Sequence, residues 1–219
     1  MSSKKFIAEF IGTFALIFIG AGSVAINHMT GGTSGLTGIA LAHGLTIAVM
    51  VSATMAVSGG HLNPAVTVAL LCTRKTDLPS AISYIIAQCL GAISAAFLLR
   101  LCLPLSVLSA VNFGTPALAP EVTTSMGLLT EIILTFFLAF TVFGTAVDSR
   151  APKMGGLFIG LTVALDIMVG GPLTGAAMNP ARYIGPAIIS GHLENCWLYW
   201  VGPIAGAVLA GVIYTKSVQ

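Results

Sequence analysis

Two copies of one tripeptide, Asn63-Pro64-Ala65 and Asn179-Pro180-Ala181, decide how this sequence folds. The second copy lies 116 positions after the first, and the same offset carries Gly44-Leu45-Thr46-Ile47-Ala48 onto Gly160-Leu161-Thr162-Val163-Ala164. It also carries Gly59 onto Gly175. Because the register holds over this whole stretch, it indicates an internal duplication and not a chance match. The chain is therefore built from two related halves.

The composition indicates the solvent in which these halves fold. Of the 219 residues, 56% are hydrophobic and 7% are charged, and the mean hydropathy is +0.99. Soluble domains carry about a quarter charged residues, because water must solvate their surface. The net charge of +2 is also too small for a face that tracks phosphates. The composition excludes a soluble enzyme, a nucleic-acid-binding protein and a disordered chain, and it favours a lipid bilayer as the solvent.

The apolar stretches predict how often the chain crosses the bilayer. A crossing helix needs about 20 mostly apolar residues. Residues 10–73 contain no Asp, Glu, Lys or Arg, and the turn-forming run at residues 27–32 divides them. The first stretch runs past the length of about 7–15 apolar residues that is usual in a signal peptide, so we expect it to stay. We predict six transmembrane helices, at about residues 6–27, 35–57, 80–101, 125–147, 155–172 and 196–215.

Two apolar stretches are left, residues 63–73 and 179–189, and each is long enough to cross only half of a membrane. Short segments of this kind are typical of re-entrant pieces. The predicted fold is an all-α membrane protein with six transmembrane helices, two re-entrant half-helices and an inverted three-helix repeat. Inverted repeats with broken helices mark permeation or transport sites. We therefore expect residues 1–219 to form one membrane channel domain, with repeats at about 1–102 and 120–219.

Asn followed by Pro is well suited to begin a helix at half depth, where neither water nor lipid satisfies the backbone amides. Asn is a preferred N-cap, and Pro fits the first helical position. A single Asn-Pro pair is more often an ordinary turn, but two copies at matched places of an inverted repeat favour half-helices. Each half-helix then points a positive dipole end at the centre of the membrane. Such ends exclude protons and cations from a narrow passage.

The basic residues predict the orientation of the chain. With the N-terminus inside the cell, seven of the nine Lys and Arg residues fall on the cytoplasmic side, where basic residues are enriched. The exceptions are Arg100 and Arg182. We expect a multi-pass protein of the cell membrane with both termini cytoplasmic, and a separate role for Arg182.

Few side chains are placed for chemistry. Glu9 and Glu131 occupy matching helices of the two halves, where they suit either a proton relay or a structural role as acceptors for backbone amides of the re-entrant loops. We favour the structural role. The four cysteines lie far apart in apolar runs, which predicts small buried thiols and no metal site. We expect no cofactor and no enzymatic activity.

The two repeats resemble the signature loops of the aquaporin family, also called the major intrinsic proteins. The resemblance is carried by Ser58-Gly59-Gly60-His61-Leu62-Asn63-Pro64-Ala65-Val66-Thr67 and Gly175-Ala176-Ala177-Met178-Asn179-Pro180-Ala181-Arg182. Ala8-Glu9-Phe10 and Ala87-Gln88-Cys89-Leu90-Gly91 extend it along the chain. The resemblance implies an hourglass pore in each subunit, a homotetramer, and passive flow of water or small neutral solutes.

The resemblance also assigns a selectivity filter. The four positions of the family's outer constriction fall on His43, Ile167, Ala176 and Arg182, and His61 is expected to line the pore. This ring is similar to that of plant tonoplast aquaporins within the water-selective branch. It implies passage of water and leaves open the passage of ammonia and hydrogen peroxide. A glycerol channel is expected to place a Trp against the Arg, whereas both Trp residues here lie in the last predicted helix.

Two other functions remain open, an ion-gradient-driven secondary transporter with inverted repeats and a facilitator for a small polyol. A transporter needs ionisable groups at mid-depth, and apart from Glu9, Glu131 and Asp166 the chain offers few. We therefore expect a passive channel for water that excludes ions and protons. The sequence assigns no role to Asp166 or Tyr183.

Overall fold

The structure, a computed structural model, describes residues 3–218, and all regular elements in that range are helical. Within residues 3–218, six helices are long and apolar enough to cross a membrane. Two short helices, α3 (Pro64–Cys72) and α8 (Pro180–Ser190), lie where half-helices are predicted. The predicted fold class is confirmed. The long helices are α1 (Ser3–Met29), α2 (Gly35–Ser58), α4 (Leu78–Cys102), α6 (Thr124–Val142), α7 (Gly155–Thr174) and α9 (Leu198–Ile213).

The connection between α4 and α6 contains helical turns that the sequence does not predict. It holds a short helix, α5 (Leu105–Ala110), and a 3₁₀ turn (Asn112–Gly114). Leu108 and Phe113 anchor this connection, because both side chains are buried. Such short turns carry little periodic signal of their own, so their formation depends on this burial.

The two half-helices meet at their N-termini. Asn63 caps α3 and Asn179 caps α8, each with an extended backbone and a Pro at the first helical position. The preceding residues, Leu62 and Met178, both adopt the left-handed region, with φ of 49° and 52°. The Asn63 side-chain amide donates to the Met178 carbonyl at 2.8 Å, and the Asn179 amide donates to the Leu62 carbonyl at 2.9 Å. These reciprocal bonds join the tips of the half-helices inside the protein.

Small residues bring the long helices close together in pairs related by the repeat. A Cβ atom at Gly91 of α4 would collide with the carbonyl oxygen of Phe10 on α1, and one at Gly206 of α9 would collide with that of Ile132 on α6. Between α2 and α7, Gly160 lies against the carbonyl oxygen of Gly44. Small residues at helix crossings are typical of membrane proteins, where close contact stabilises the bundle.

The outer surface of the bundle is apolar. Val49, Leu101 and Val169 are 64%, 67% and 65% exposed, respectively, although they lie in long helices. The prediction that the cysteines are buried is wrong, because Cys72 and Cys102 are exposed and the other two are half-buried. The physical reason is that an apolar solvent lets a thiol remain at the surface without cost.

A polar cluster fixes the end of α6 beside the C-terminal segment. The chain continues from α6 into a π-helical turn, Phe143–Val147. Asp148 then accepts hydrogen bonds from the guanidinium and backbone N–H of Arg150, and from the Tyr214 hydroxyl at 3.0 Å. The bonds from the Arg150 guanidinium hold the pKa of Asp148 well below its usual value of 3.8. The ring of Tyr214 packs against Phe143, with 6.2 Å between the ring centroids.

Candidate functional site

A narrow cavity runs through the middle of the bundle, past the joined tips of α3 and α8. This central cavity offers about 40 Å³ of space to water, and one water needs about 10–15 Å³, so the cavity has room for a short file of waters. Most of its lining is apolar. The polar side chains that line it are those of His43, His61, Asn63, Asn179 and Arg182.

A wider cavity adjoins each end of the central cavity. One of them, which we name the Arg182 mouth, offers about 180 Å³ of space to water. It shares His43, Ile167 and Arg182 with the central cavity. The Lys75 mouth, at the opposite end, offers about 240 Å³ and contains the exposed Lys75. Ala176 lines the central cavity together with the three residues of the Arg182 mouth. The path is therefore narrow in its middle and wide at both ends.

Asn63 and Asn179 each present one fixed donor to the central cavity. Each side-chain oxygen accepts from the backbone of its own helix, Asn63 from Ala65 at 2.8 Å and Asn179 from Ala181 at 3.0 Å. Each side-chain nitrogen uses one hydrogen for the carbonyl across the junction. An amide NH₂ group carries two hydrogens, so one hydrogen of each Asn is left for a solute.

Arg182 lies in the first turn of α8 and is buried at 4% exposure. Its Nη1 donates to the carbonyl oxygen of Gly114 at 2.8 Å, whereas its Nε is buried without a partner in the described residues. Sequence reasoning missed the contact with Gly114, because every residue type has a backbone carbonyl and the residue letter therefore does not indicate the contact. A buried guanidinium with a free N–H can donate to a molecule that passes it.

His43 offers an acceptor at the same level. Its Nδ1 lies 2.9 Å from the carbonyl oxygen of Ile39. A carbonyl oxygen only accepts, so Nδ1 carries the proton and Nε2 is left as an acceptor. Nε2 is buried with no partner within residues 3–218. Gly20 makes room for the ring, because a Cβ atom there would meet the imidazole.

His61 offers a second acceptor near the Lys75 mouth. The Thr67 hydroxyl donates to the Asn63 carbonyl at 3.0 Å, so its oxygen accepts from His61 Nδ1 at 3.1 Å. The proton of the imidazole is thus on Nδ1, and Nε2 is the free acceptor. Tyr84 packs edge-on against the ring, with 4.9 Å between the centroids. These contacts fix the side chain.

The carboxyl groups of Glu9 and Glu131 hold the two re-entrant loops. Glu9 accepts from the backbone N–H groups of His61 and Leu62 at 3.0 and 2.7 Å, and Glu131 accepts from those of Ala177 and Met178 at 2.9 and 2.7 Å. Both carboxyl groups are fully buried. They therefore lie behind the cavity wall and satisfy amides that lack any other acceptor.

Hydroxyl groups that sequence reasoning missed complete this support. Ser58 donates to Glu9 at 2.6 Å, and Thr174, at the same place of the repeat, donates to Glu131 at 2.7 Å. Tyr84 and Tyr199 donate to the carbonyl oxygens of Ser58 and Thr174 at 2.9 and 2.8 Å. The repeat register is the signal that finds these pairs, because it places Ser58 on Thr174.

The two residues without a predicted role lie outside the cavity lining. Asp166 is buried on α7 at 6% exposure, and its Oδ2 has no partner in the described chain. Tyr183 stacks on Tyr199 with ring centroids 4.4 Å apart, and its hydroxyl donates to the carbonyl oxygen of Glu194 at 2.8 Å. Tyr183 thus anchors α8 to α9 and to the loop between them.

Comparison with known proteins agrees with this arrangement. The sequence model of the family described as Major intrinsic protein matches residues 1–214. The chain belongs to this family. Among the major intrinsic proteins it is 45% identical to Aquaporin TIP4-4 of Zea mays, over 96% of this chain and 85% of the maize protein. It is also 45% identical to Aquaporin-4 of Mus musculus, over 96% of this chain and 66% of the mouse protein.

A solved structure of the family has the same fold. The X-ray structure of the aquaglyceroporin from Plasmodium falciparum superposes with a TM-score of 0.86 at 26% sequence identity, and the match covers 98% of this chain and 96% of that one. The predicted resemblance to aquaporins, including the TIP type, is confirmed. The chain is thus a multi-pass membrane protein of a channel family.

Proposed function

We propose that this major intrinsic protein is a passive channel for water that also passes small uncharged solutes such as ammonia or hydrogen peroxide. The observation that carries the proposal is the junction of two helix N-termini, capped by Asn63 and Asn179, inside a cavity with room for a short file of waters. Two helices that begin at this depth cannot face lipid, since irregular backbone there is tolerated only where it is buried in protein or lines a wet cavity.

The junction orients the water that passes it. The free N–H groups of Asn63 and Asn179 donate to the oxygen of one water, so its own hydrogens point away along the file. The positive ends of α3 and α8 raise the energy of any cation at this point. Water passes because it needs only an acceptor oxygen there, whereas ions and protons are excluded.

The Arg182 mouth is the selectivity filter in this proposal. Arg182 Nε donates to a passing water, and His43 Nε2 accepts from it, so the water keeps two hydrogen bonds as it loses its neighbours. The guanidinium repels cations. Ile167 and Ala176 complete the ring with apolar groups, and an apolar wall accepts small molecules that form few hydrogen bonds, such as ammonia.

The placement in the cell follows from the charges. Lys75 and the segment of Asp148 and Arg150 lie on one side, which the excess of basic residues assigns to the cytoplasm. We place both termini there and the Arg182 mouth outside, in the cell membrane. The path lies within one chain, so residues 1–219 act as one channel domain, and a homotetramer carries four separate pores.

Water flux through liposomes tests this function. Liposomes with the protein should shrink in stopped flow against sucrose much faster than empty liposomes, with a weak temperature dependence and without an ion gradient. Hydrogen peroxide and ammonia uptake are measured in the same vesicles. Size-exclusion chromatography checks that the protein is folded. If it is folded and the water flux equals that of empty liposomes, the proposal of a channel is rejected.

The same vesicles separate the two competing functions. A small-polyol facilitator is the second candidate, because the superposed structure is an aquaglyceroporin. Fast swelling in glycerol would favour it, whereas we expect slow swelling, since no Trp lines the central cavity or either mouth in the described chain. A secondary transporter would need an ion gradient for solute uptake. We expect no such requirement, because the carboxyl groups of Glu9 and Glu131 accept hydrogen bonds from the backbone of the re-entrant loops.

A further inference from the structure

The central cavity meets its two mouths at two different junctions. At the Arg182 mouth the shared residues are His43, Ile167 and Arg182, which form the proposed filter. At the Lys75 mouth the two cavities share a separate set of residues. The residues of this second junction are Gly60, His61, Val66, Val142 and Ile159.

The internal repeat relates residues of the second junction to residues of the first. The offset of 116 carries His43 onto Ile159, and it carries Val66 onto Arg182. The imidazole and the guanidinium of one junction are therefore replaced by two aliphatic side chains at the other. Val142 closes the second junction from the end of α6.

The side chains of this junction are held in place. Val66, Val142 and Ile159 are buried, with exposures of 4%, 7% and 5%. Val142 is followed directly by Phe143, which is fully buried against Gly211. A ring built on packed helix ends does not open without moving the helices, so its width acts as a fixed limit on solutes.

The chemistry of the ring differs from that of the filter. His61 is its one polar side chain, and the described contacts leave it a single free acceptor at Nε2. A water passing the ring keeps bonds to the waters ahead and behind and donates to Nε2. A polyol is wider and must give up the hydration of several hydroxyl groups at once, against an apolar wall that replaces none of it.

We propose that Val66, Val142 and Ile159, together with His61, form a second selectivity-determining constriction that acts in series with the ring of Arg182. We name it the Ile159 collar. This inference rests on the proposed function, since both rings act on solutes that cross the central cavity. The collar discriminates against uncharged solutes with several hydroxyl groups, such as glycerol, and passes water.

The test follows from treating the two constrictions as resistances in series to the flow of solute. Removing one of two equal barriers raises permeability about twofold, whereas removing both raises it more than about fourfold, so the two changes are not independent. Liposomes with wild type, Ile159→Ala, Arg182→Val and the double variant are compared for glycerol and water flux. The matched control is Leu165→Ala on α7, an exposed aliphatic side chain that lines neither the central cavity nor either mouth.

We expect Ile159→Ala to raise glycerol flux at most modestly alone and much more in the Arg182→Val background, so that the double variant exceeds the product of the single effects. Leu165→Ala should leave glycerol flux unchanged in both backgrounds. If Ile159→Ala adds nothing to Arg182→Val while water flux persists, the collar does not select. Val142→Ala repeats the test from α6 if Ile159→Ala does not conduct water. Absent water flux in wild type would instead reject the proposed function and not the collar.

Discussion

In the first half of the molecule Glu9 and Ser58 hold the loop before α3, and in the second half Glu131 and Thr174 hold the loop before α8 with the same set of hydrogen bonds. The two halves match where buried backbone amides need an acceptor. They differ at the wall of the central cavity, where the repeat places His43 of the first half on Ile159 of the second. Symmetry is kept by the requirement to satisfy buried polar groups, and the cavity is free to differ at its two ends.

The support itself has one asymmetry. Gln88 gives Glu9 an additional donor at 2.7 Å. The offset of 115 that carries Tyr84 onto Tyr199 places Pro203 at the position of Gln88, and a Pro side chain donates no hydrogen bond. The Glu9 carboxyl group therefore accepts from one donor more than the Glu131 carboxyl group does.

The largest effect is expected from removing these carboxyl groups. Glu131→Ala leaves two backbone amides without an acceptor, and each such group costs about 1–3 kcal/mol. The Thr174 hydroxyl keeps the Gly170 carbonyl as an acceptor. Glu9→Ala also leaves one hydrogen of the Gln88 amide unpaired, because only the other is donated to Thr67, so it should destabilise more. In detergent, the unfolding temperature of Glu9→Ala should be lower than that of Glu131→Ala, and both should be far lower than that of wild type.

Glu121→Ala is the matched control, since Glu121 is an exposed carboxylate and its loss should change unfolding by less than about 0.5 kcal/mol. An unfolding temperature of Glu9→Ala equal to that of wild type would show that this carboxyl group does not hold the first loop.

A smaller effect is expected at the caps. Asn179 accepts from two backbone amides, those of Ala181 and Arg182, whereas Asn63 accepts from one. Loss of an N-cap costs about 0.5–2 kcal/mol, so Asn179→Ala should destabilise more than Asn63→Ala. Both should increase proton leak in liposomes, which pH-sensitive dyes measure.

Asn→Asp variants at the same positions separate the two roles, because Asp keeps the capping oxygen and lacks the N–H donor. Stability should return towards wild type in the Asp variants. If proton leak also returned to the wild-type level, the N–H donors would have no part in exclusion.

The smallest effect is expected at Asp148, whose salt bridge with Arg150 has no counterpart in the first half of the described chain. The pKa of Asp148 is lower in the folded protein than its unfolded value. Its contribution to stability is therefore fully present above the unfolded pKa of 3.8 and is lost as the pH falls through the folded pKa. Asp148→Asn should lower the unfolding temperature at neutral pH, and the gap to wild type should close in acid. A gap that stays constant with pH would contradict this assignment.

Most of the fold was predictable because its signals are local. The second transmembrane helix, predicted at 35–57, spans Gly35–Ser58, and the half-helices begin at the predicted Asn-Pro pairs. The turn at Asn112–Gly114 escaped prediction, since its formation depends on the burial of Phe113. The cysteines were misplaced because an apolar run shows that a residue avoids water and not whether lipid or protein covers it.

The sequence alone determined the solvent, the number of crossings, the duplication and the helix starts, since length, hydropathy and capping act over a few neighbouring residues. Tertiary structure decided which distant groups meet. Only the packed bundle brings the Gly114 carbonyl to Arg182 and places Val142 and Ile159 on the wall of the same cavity. Contacts between residues far apart in the chain depend on how the helices pack, and no local pattern encodes that.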